Sequence, residues 1–420
     1  MPGLILAATQ SGSGKTTVTL GLLRALTRAG VGVRGAKSGP DYIDPAYHAA
    51  ATGQPCLNLD AWAMTPDALR RRAATDDLLV IEGAMGLFDG APPDGAGSSA
   101  DLARTLGLPV VLIVDAARMA QSIAPLVAGF ARHDPSVRVA GVVLNKVGSD
   151  RHAEMLRRAL ARSGLPVLGV LPRRDDLSRP SRHLGLIQAI EDPKLANFLD
   201  RAADWVTTGC DIAALVALAT DLPPASTARP TAPAQRIAVA QDAAFSFFYP
   251  HQLQEWRAAG ADIAFFSPLA DDPVPAADLI LLPGGYPELH APRLAACTRF
   301  MQSIRTAAEH TDIMGECGGY MVLGDAVTTL DGNAYPMAGL LRLQTSFAAR
   351  KLHLGYRRLS AESGPFRGDW AGHEFHYATT RSAVGDPLFA ARDAEGTALP
   401  PMGLRLGRVA GSFAHLIDRA

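Results

Sequence analysis

Lysine and cysteine are both scarce in this chain of 420 residues. Of its 40 basic residues only five are lysine, at positions 15, 37, 146, 194 and 351. Because arginine is a poor substitute where a compact point charge is needed, each remaining lysine is a candidate functional residue. The four cysteines are widely spaced and form no C-x-x-C pair and no His/Cys cluster, which argues against a disulfide framework and against a zinc site.

An excess of charge of one sign and long apolar runs are also missing. The chain has 40 Lys and Arg against 41 Asp and Glu, so it lacks the basic surface of a general nucleic-acid-binding protein. No stretch approaches the roughly 20 apolar residues that cross a bilayer, and the apolar N-terminal run is too short for a signal peptide. We expect a cytoplasmic protein whose partners are small molecules, with no nucleic-acid or membrane partner; a homodimer is left open.

Short apolar runs alternate with amphipathic stretches, as is typical of the α/β class. Runs without polar alternation, such as Gly3–Ala8 and Val110–Val114, predict strands buried on both faces of a parallel sheet. The alternation stops at 222–234, where Pro, Ser, Thr and Ala predict a linker. We therefore predict two α/β domains, one over 1–221 and one over 235–420.

A glycine-rich segment between the first predicted strand and the first predicted helix is typical of a phosphate-binding loop. Its backbone N–H groups and the helix N-terminus would face phosphate oxygens, its lysine would reach the β- and γ-phosphates of ATP, and the next hydroxyl would bind Mg²⁺. The strict pattern has glycine at the position of Thr9, so this loop is a variant. The predicted ATP-binding residues of the loop are Gly12, Ser13, Gly14, Lys15, Thr16 and Thr17.

Charged residues follow the next two strands of this predicted sheet. The segment KSGPDYIDP contains Lys37, Asp41 and Asp44, and Glu82 closes the following apolar strand. The carboxyl ends of parallel strands share one edge of the sheet, where α/β folds bind ligands. The pattern therefore places these side chains beside the phosphate loop, and Glu82 stands at the usual position of a metal-binding carboxylate.

Four segments together resemble the a,c-diamide synthases of corrin biosynthesis, the amidotransferases that act on cobyrinic or hydrogenobyrinic acid. They are GSGKTT, KSGPDYIDP, the NLD triplet at 58–60 and IEGAMGLFDG. The resemblance covers nearly the whole chain and implies an N-terminal P-loop domain similar to dethiobiotin synthetase. In this family ATP phosphorylates a substrate carboxylate with the help of Mg²⁺, and ammonia then displaces phosphate from the acyl phosphate.

The same resemblance implies roles for individual residues of the first domain. Thr16, Asp41 and Glu82 would bind Mg²⁺. Lys37 would neutralise phosphate charge, and Asn145 would contact adenine. The residues expected at the corrin carboxylates are Asp41, Tyr42, Asp44 and Glu82.

The second domain contains an apolar strand that leads into the pattern G-x-C-x-G around Cys317. Small neighbours allow the tight strand-to-helix turn of a nucleophile elbow, and the helix N-terminus is expected to lower the pKa of the thiol. By resemblance to class I glutamine amidotransferases, the base is His415. Those enzymes usually carry H-x-E, but Ile417 stands at the acid's position, so the group that orients His415 is left open.

Two further segments of the second domain match that fold. In the PGG turn, Gly285 would offer a backbone N–H that forms an oxyanion hole together with that of Gly318. The segment GHEFHY holds His373 and His376, whose spacing suggests a metal site, but the sequence shows no third ligand. We interpret these histidines as domain-interface or substrate contacts.

The sequence thus predicts a carbon–nitrogen ligase that uses ATP and glutamine to amidate the a and c carboxylates of hydrogenobyrinic or cobyrinic acid, in cobalamin biosynthesis. An arginine-rich, lysine-poor composition is typical of bacteria with GC-rich genomes. The aerobic route, which uses the metal-free acid, is common in such bacteria, so the composition favours the metal-free substrate. One alternative is another P-loop carboxylate ligase, similar to dethiobiotin synthetase or cobyric acid synthase. The other is an ATP-dependent partner-binding switch, against which Gln10 argues because partition-type ATPases carry lysine there.

Overall fold

The computed structural model of the chain describes residues 2–177, 181–182, 185–225 and 229–420. It divides into two compact units, Met1–Thr227 and Ala228–Ala420. The division falls inside the segment 222–234 for which a linker was predicted, and residues 226–228 of that segment lie outside the described residues.

The first unit alternates strands and helices along most of its length. Its strands are β1 (Pro2–Ala8), β2 (Val33–Ser38), β3 (Leu57–Leu59), β4 (Leu78–Glu82), β5 (Val110–Asp115), β6 (Val139–Val147), β7 (Val167–Pro172), β8 (Ser181–Arg182), β9 (Gly185–Leu186) and β10 (Thr220–Asp221). Its helices are α1 (Lys15–Arg28), α2 (Asp44–Thr52), α3 (Pro66–Ala73), α4 (Ser99–Leu106), α5 (Ile123–His133), α6 (Asp150–Leu160), α7 (Leu195–Gly209) and α8 (Ile212–Ala217).

A parallel sheet in the order β3-β2-β4-β1-β5-β6-β7 forms the centre of this unit, and β10 pairs antiparallel with β1. Its central strands are buried on both faces, as their unbroken apolar runs predicted. The parallel register pairs Lys37 of β2 with Glu82 of β4, and Leu6 of β1 with the same glutamate. The phosphate loop and both charged residues therefore share one edge of the sheet.

The sequence pattern does not reveal β3, because three residues are too few to show a periodicity. This short strand contains the first two residues of the NLD triplet, and Asn58 lies in register with Lys37 on β2. A motif recognised only by resemblance is thus an edge strand beside the charged residues.

The second unit has more strands than the sequence pattern predicted. Its strands are β11 (Arg236–Ala240), β12 (Asp262–Phe266), β13 (Leu279–Leu282), β14 (Asp312–Glu316), β15 (Ala326–Thr328), β16 (Ala334–Pro336), β17 (Arg342–Ser346), β18 (His353–Ala361), β19 (Gly368–His376), β20 (Thr379–Val384), β21 (Phe389–Arg392), β22 (Ala398–Met402), β23 (Leu404–Leu406), β24 (Val409–Ser412) and β25 (Ala414–Arg419). Its helices are α9 (Pro250–Ala258), α10 (Ala291–Ala296), α11 (Thr298–Ala307) and α12 (Gly318–Leu323).

Three sheets build the described part of this unit. The largest has the order β12-β11-β13-β14-β24-β23 and is parallel except for β23. The others have the orders β16-β15-β17-β20 and β22-β21-β18-β19-β25. Only Phe413 separates β24 from β25, so the chain passes directly from the parallel sheet into an antiparallel one. His415 lies on β25, just after this passage.

Two glycines inside helices of the first unit lead to opposite predictions for one substitution. A Cβ at Gly21 in α1 would lie 2.6 Å from the carbonyl oxygen of Ala202 in α7, whereas a Cβ at Gly129 in α5 would meet nothing within 4 Å. We expect Gly21→Ala to lower the free energy of unfolding by about 1–3 kcal/mol, because the two helices must move apart. Gly129→Ala should raise it by about 0.5–1 kcal/mol through helix propensity.

Urea unfolding of both variants and of the wild type measures these two effects. Each variant is the matched control of the other, since both exchange a helical glycine for alanine. Equal effects at the two positions would contradict the close approach of α1 to α7.

Candidate active sites

The phosphate loop between β1 and α1 is held by the end of β6. Gly12 and Gly14 have φ values of 78° and 85°, which favour glycine, and a Cβ at Gly14 would also collide with the side-chain amide of Asn145. That amide donates to the carbonyl oxygen of Ser13 at 2.8 Å, and Nζ of Lys146 donates to the carbonyl oxygen of Gly12 at 2.8 Å. Asn145 therefore supports the loop, and its contact with adenine stays a prediction.

Lys15 is buried at the start of α1. Its ammonium donates to the carbonyl oxygen of Met85. Burial and the nearby charge of Lys37 lower the pKa of Lys15 to about 8, against the opposing effect of Glu82. An anion bound beside this ammonium would stabilise its charged form, so the position suits a phosphate group.

A fully buried carboxylate, Glu82, lies at the centre of this edge of the sheet. Its Oε1 accepts hydrogen bonds from the Thr16 hydroxyl at 2.6 Å and from the Lys37 ammonium at 2.8 Å. Burial alone would raise the pKa of Glu82, but Lys37 and His48 outweigh burial and hold the pKa far below its usual range. The structure thus brings together Thr16, Lys37 and Glu82, which the sequence analysis had placed in or beside the phosphate loop.

His48 is a residue of this cluster that the sequence analysis missed. Its Nε2 lies 2.7 Å from Oε2 of Glu82, and its side chain is fully buried. Burial lowers the pKa of His48, but the neighbouring Cys56 and Glu82 raise it to about 10, so the ring is an imidazolium at neutral pH. The available signal was its spacing: it follows Asp44 by four residues and so lies on the same face of α2.

Asp41, in the loop before α2, and Asp44, the first residue of α2, have different partners. The Asp44 carboxylate lies 2.5 Å from Nζ of Lys37, and burial together with Asp41 raises its pKa to about 6. Oδ1 of Asp41 accepts hydrogen bonds from the backbone N–H groups of Ile43 and Asp44 at 2.8 and 2.9 Å. These bonds satisfy two backbone donors at the start of α2. Tyr42 is half-buried between the two aspartates. Asp44 therefore positions Lys37, and contacts of these residues with a substrate stay predictions.

The NLD triplet contacts the loop that carries Asp41. Nδ2 of Asn58 donates to the carbonyl oxygens of Gly39 and Asp41 at 2.9 and 2.8 Å. Oδ1 of Asp60 accepts two backbone N–H groups that follow it, at 3.0 Å each. The contribution of this motif to the site is thus to hold the loop in place.

In the second unit, Cys317 forms the predicted nucleophile elbow between β14 and α12. Its backbone has φ 46° and ψ −101°, a conformation that a non-glycine residue rarely adopts. The following turn is tight, because Gly319 donates its N–H to the carbonyl oxygen of Pro283 at 3.0 Å and a Cβ at Gly319 would collide with the carbonyl oxygen of Leu282. The small residues around the cysteine are therefore required by close backbone contacts.

The expectation of a lowered thiol pKa is wrong. Burial raises the pKa of Cys317 far above its ordinary value, and the carboxylate of Glu288 raises it further. The backbone N–H of Gly318 acts in the opposite direction but does not outweigh burial. The cysteine is therefore a neutral thiol that needs a base.

His415 lies beside Cys317, and its role as the base stays a prediction. A Cβ at Gly284 would lie 2.8 Å from Nε2 of His415 and 3.3 Å from Cβ of Cys317, so both side chains converge on this glycine. Burial, followed by His373 and His376, lowers the pKa of His415 to about 3, which keeps the ring neutral. A neutral imidazole can accept a proton from the thiol.

The two glycines proposed for the oxyanion hole also lie together. A Cβ at Gly318 would lie 3.0 Å from the backbone nitrogen of Gly285, and a Cβ at Gly285 would collide with the carbonyl oxygen of Ala244. Their adjacency beside Cys317 is what an oxyanion hole requires, and that role stays a prediction.

Of the two histidines of GHEFHY, His376 has further candidate ligands nearby, which the sequence did not show, whereas His373 is not part of that cluster. Ligand atoms of His353, Glu374 and His376 lie within 4.8 Å of one another. However, the rings of His353 and His376 stack 4.7 Å apart at 5°, so their in-plane lone pairs run parallel and do not converge on one ion. The Glu374 carboxylate instead pairs with His376 at 2.9 Å and with Arg357 at 2.7 Å. We interpret the cluster as charge-paired packing.

Comparison with known proteins places both units in known families. Residues 4–187 match the CobQ/CobB/MinD/ParA nucleotide binding domain, and residues 236–419 match the CobB/CobQ-like glutamine amidotransferase domain. The fold class predicted from the sequence is thereby confirmed. Among the described residues, no helix is long and apolar enough to cross a membrane.

Full-length relatives are more specific. The hydrogenobyrinate a,c-diamide synthase of Rhizobium meliloti (strain 1021) is 54% identical over 427 residues, covering 100% of this chain and 99% of the relative. The protein of the same name from Rhodobacter capsulatus is 52% identical, covering 99% of this chain and 98% of the relative. The resemblance recognised from the motifs is confirmed.

The buried His48 imidazolium leads to a prediction about stability and pH. Because its pKa is about 10 in the folded chain and about 6.5 when unfolded, its charge stabilises the fold fully below about pH 6.5 and this contribution is lost as the pH rises toward 10. His48→Gln keeps a donor for Glu82 but removes the charge. We expect the destabilisation to be about 1–3 kcal/mol near pH 6.5 and to shrink toward pH 10.

Urea unfolding at a series of pH values measures this trend. The matched control is His133→Gln, at an exposed histidine of the same unit, which should follow the wild type. A destabilisation by His48→Gln that is constant from pH 6.5 to 10 would show that the ring is not charged in the fold.

Proposed function

Because this chain belongs to the hydrogenobyrinate a,c-diamide synthase family, we propose that it uses ATP and glutamine to convert the a and c carboxylates of hydrogenobyrinic acid into amides. The observation that carries the proposal is the pairing of two different sites in one chain. The first unit holds a phosphate loop with buried lysines at 15 and 37. The second holds Cys317 on a strained elbow beside His415.

The second unit releases ammonia from glutamine. His415 takes the proton of the Cys317 thiol at Nε2 while the sulfur attacks the carboxamide carbon of glutamine. The backbone N–H groups of Gly285 and Gly318 stabilise the oxyanion of the tetrahedral intermediate. His415 then returns the proton to the leaving nitrogen, ammonia departs, and water hydrolyses the thioester to glutamate and free thiol.

The first unit activates the carboxylate that receives this ammonia. A carboxylate oxygen of the substrate attacks the γ-phosphorus of ATP, the bond to the β-phosphate oxygen breaks, and an acyl phosphate and ADP form. Ammonia attacks the acyl carbon and inorganic phosphate leaves. The residues that support this step are Lys15 at the loop and Lys37 beside Glu82, because a compact ammonium favours phosphate charge.

The side chains at the edge of the first sheet fit Mg²⁺. Thr16 and Glu82 present a hydroxyl and a carboxylate oxygen 2.6 Å apart, and these hard oxygen ligands are the type that Mg²⁺ prefers. Asp41 is the third predicted ligand. When bound, the ion would neutralise charge on the transferred phosphoryl group. His48 holds the other oxygen of Glu82 and so keeps the carboxylate oriented toward Thr16.

The substrate assignment rests on the relatives, which are named for the metal-free hydrogenobyrinate. Asp41, Tyr42, Asp44 and Glu82 stay our predicted contacts for the corrin, and Asn145 our predicted contact for adenine. We further propose that the enzyme works in the cytoplasm with small-molecule partners only, as a monomer or a homodimer.

The division of labour between the units leads to a testable prediction. Cys317→Ala should abolish glutamine-driven amidation and glutamate release, because no thiol attacks glutamine. Amidation with added ammonium chloride should continue at a rate close to that of the wild type, since the first unit is untouched. Both activities are measured by chromatography of the corrin product and of glutamate.

The matched control is Cys297→Ala, which makes the same exchange at another buried cysteine of the second unit. This variant should keep glutamine-driven activity. Loss of both the glutamine and the ammonium activities in folded Cys317→Ala would contradict the assignment of separate reactions to the two units.

Substrate identity is tested by offering metal-free hydrogenobyrinic acid and its cobalt-bearing counterpart, with ATP and glutamine. We expect a higher kcat/KM for the metal-free acid, with two amides formed and two ATP consumed per corrin. Glutaminase activity without amidation of either acid would reject the substrate. ATP hydrolysis with neither glutamate release nor amide formation would instead favour a partner-binding switch.

A further inference from the structure

Resting on the proposed glutaminase reaction, we propose that Glu316 is the positioning residue of His415. Its carboxylate accepts a hydrogen bond from Nδ1–H of the imidazole and leaves Nε2 facing Cys317. The residue directly before the nucleophile thus supplies the acid that the sequence does not show two positions after the histidine.

The geometry of the strands carries this proposal. Glu316 is the last residue of β14 and pairs in register with Ser412 of the neighbouring β24. Its Oε2 lies 3.6 Å from Nδ1 of His415. Its Oε1 accepts the backbone N–H of Leu416 at 3.0 Å. One carboxyl group therefore contacts both the imidazole and the peptide that follows it.

The two ring nitrogens of His415 face different groups. Nε2 lies on the side of Gly284, where Cys317 also converges, whereas Nδ1 lies on the side of Glu316. An imidazole that serves a nucleophile needs this polarity, with one nitrogen toward the nucleophile and the other toward an orienting group. The 3.6 Å separation between Oε2 of Glu316 and Nδ1 of His415 is longer than a hydrogen bond. Catalytic hydrogen bonds are often long in the free enzyme and shorten when substrate binds.

The position that normally carries the acid is filled by an apolar side chain. Ile417 is 1% exposed and belongs to the apolar interior of the second unit. Its carbonyl oxygen lies 2.9 Å from Nε2 of His251, so its backbone is also engaged. The side chain two residues after His415 is therefore apolar and cannot orient the ring. Glu316 instead approaches the histidine from the adjacent parallel sheet.

Other groups also affect the pKa of His415 and of Cys317, and their effects must be distinguished from that of Glu316. Burial, followed by His373 and His376, lowers the pKa of His415, and a hydrogen bond with the backbone of Phe247 opposes this shift. Glu288 and Glu374 lie close enough to Cys317 to raise the pKa of the thiol, as Glu316 does. The backbone of Phe247 is therefore the main competing candidate for orienting the ring.

Burial gives Glu316 a distinctive pH dependence. It raises the pKa of this carboxyl to about 8, and the N–H of Leu416 opposes the shift. Below that pH a proton on Oε2 donates to Nδ1, which places the imidazole proton on Nε2 and blocks the base. Above it the carboxylate accepts Nδ1–H and Nε2 is free. The glutaminase kcat should therefore rise as the pH increases through about 8.

The experiment compares full-length wild type with Glu316→Gln, whose amide oxygen can still accept the N–H of Leu416. We expect kcat for glutamine hydrolysis at pH 9 to fall at least about tenfold with little change in KM, and the rise through pH 8 to disappear. Amidation with ammonium chloride should be unchanged. Glu309→Gln, at an exposed glutamate of the same unit, should keep the wild-type rate and pH profile.

A wild-type kcat and pH profile in Glu316→Gln would overturn the proposal and assign the orientation to the backbone of Phe247. A change in KM alone would also overturn it, because a positioning residue acts on the chemical step. Should the variant fail to fold, the wild type decides: a kcat that does not rise between pH 7 and 9 contradicts the role. Wild type that releases no glutamate at any pH would instead reject the proposed function itself.

Discussion

The first unit depends on the pairing of one buried carboxylate. Glu82 has no exposed surface, and a buried charge is tolerated only when it is paired and hydrogen-bonded. Its partners come from three elements: Thr16 from α1, Lys37 from β2 and His48 from α2. This single carboxylate therefore connects α1, β2 and α2 at one edge of the sheet.

In the second unit burial favours neutral groups, in contrast to the paired charges of the first unit. Burial raises the pKa of the Cys317 thiol and of the Glu316 carboxyl, and lowers the pKa of the His415 imidazole, so each group is driven toward its neutral form. The first site is a set of paired charges, which suits a phosphorylated nucleotide. In the second site burial disfavours charge on the thiol of Cys317 and on the imidazole of His415, which suits attack on a neutral amide.

Local patterns explain how much of this could be predicted. The unbroken apolar runs, the phosphate loop and the G-x-C-x-G elbow are each contained in fewer than about twenty residues, and they were placed correctly. His48 was missed because its partner Glu82 is 34 residues away. Glu316 was missed because Leu416, whose N–H it accepts, lies 100 positions later in the chain, directly after His415. The thiol pKa was predicted in the wrong direction, since burial is not visible in a motif.

By itself, the sequence determined the class of the fold, the family and the places of the phosphate loop and of the strand-to-helix elbow at Cys317, because each depends on residues that are neighbours along the chain. Tertiary structure alone decided which side chains share a proton or a charge. The pairing of Lys37 with Glu82 follows from strand register, and the approach of Glu316 to His415 follows from two adjacent sheets. Electrostatic interactions act through space and depend on burial, and neither quantity is set by spacing along the chain.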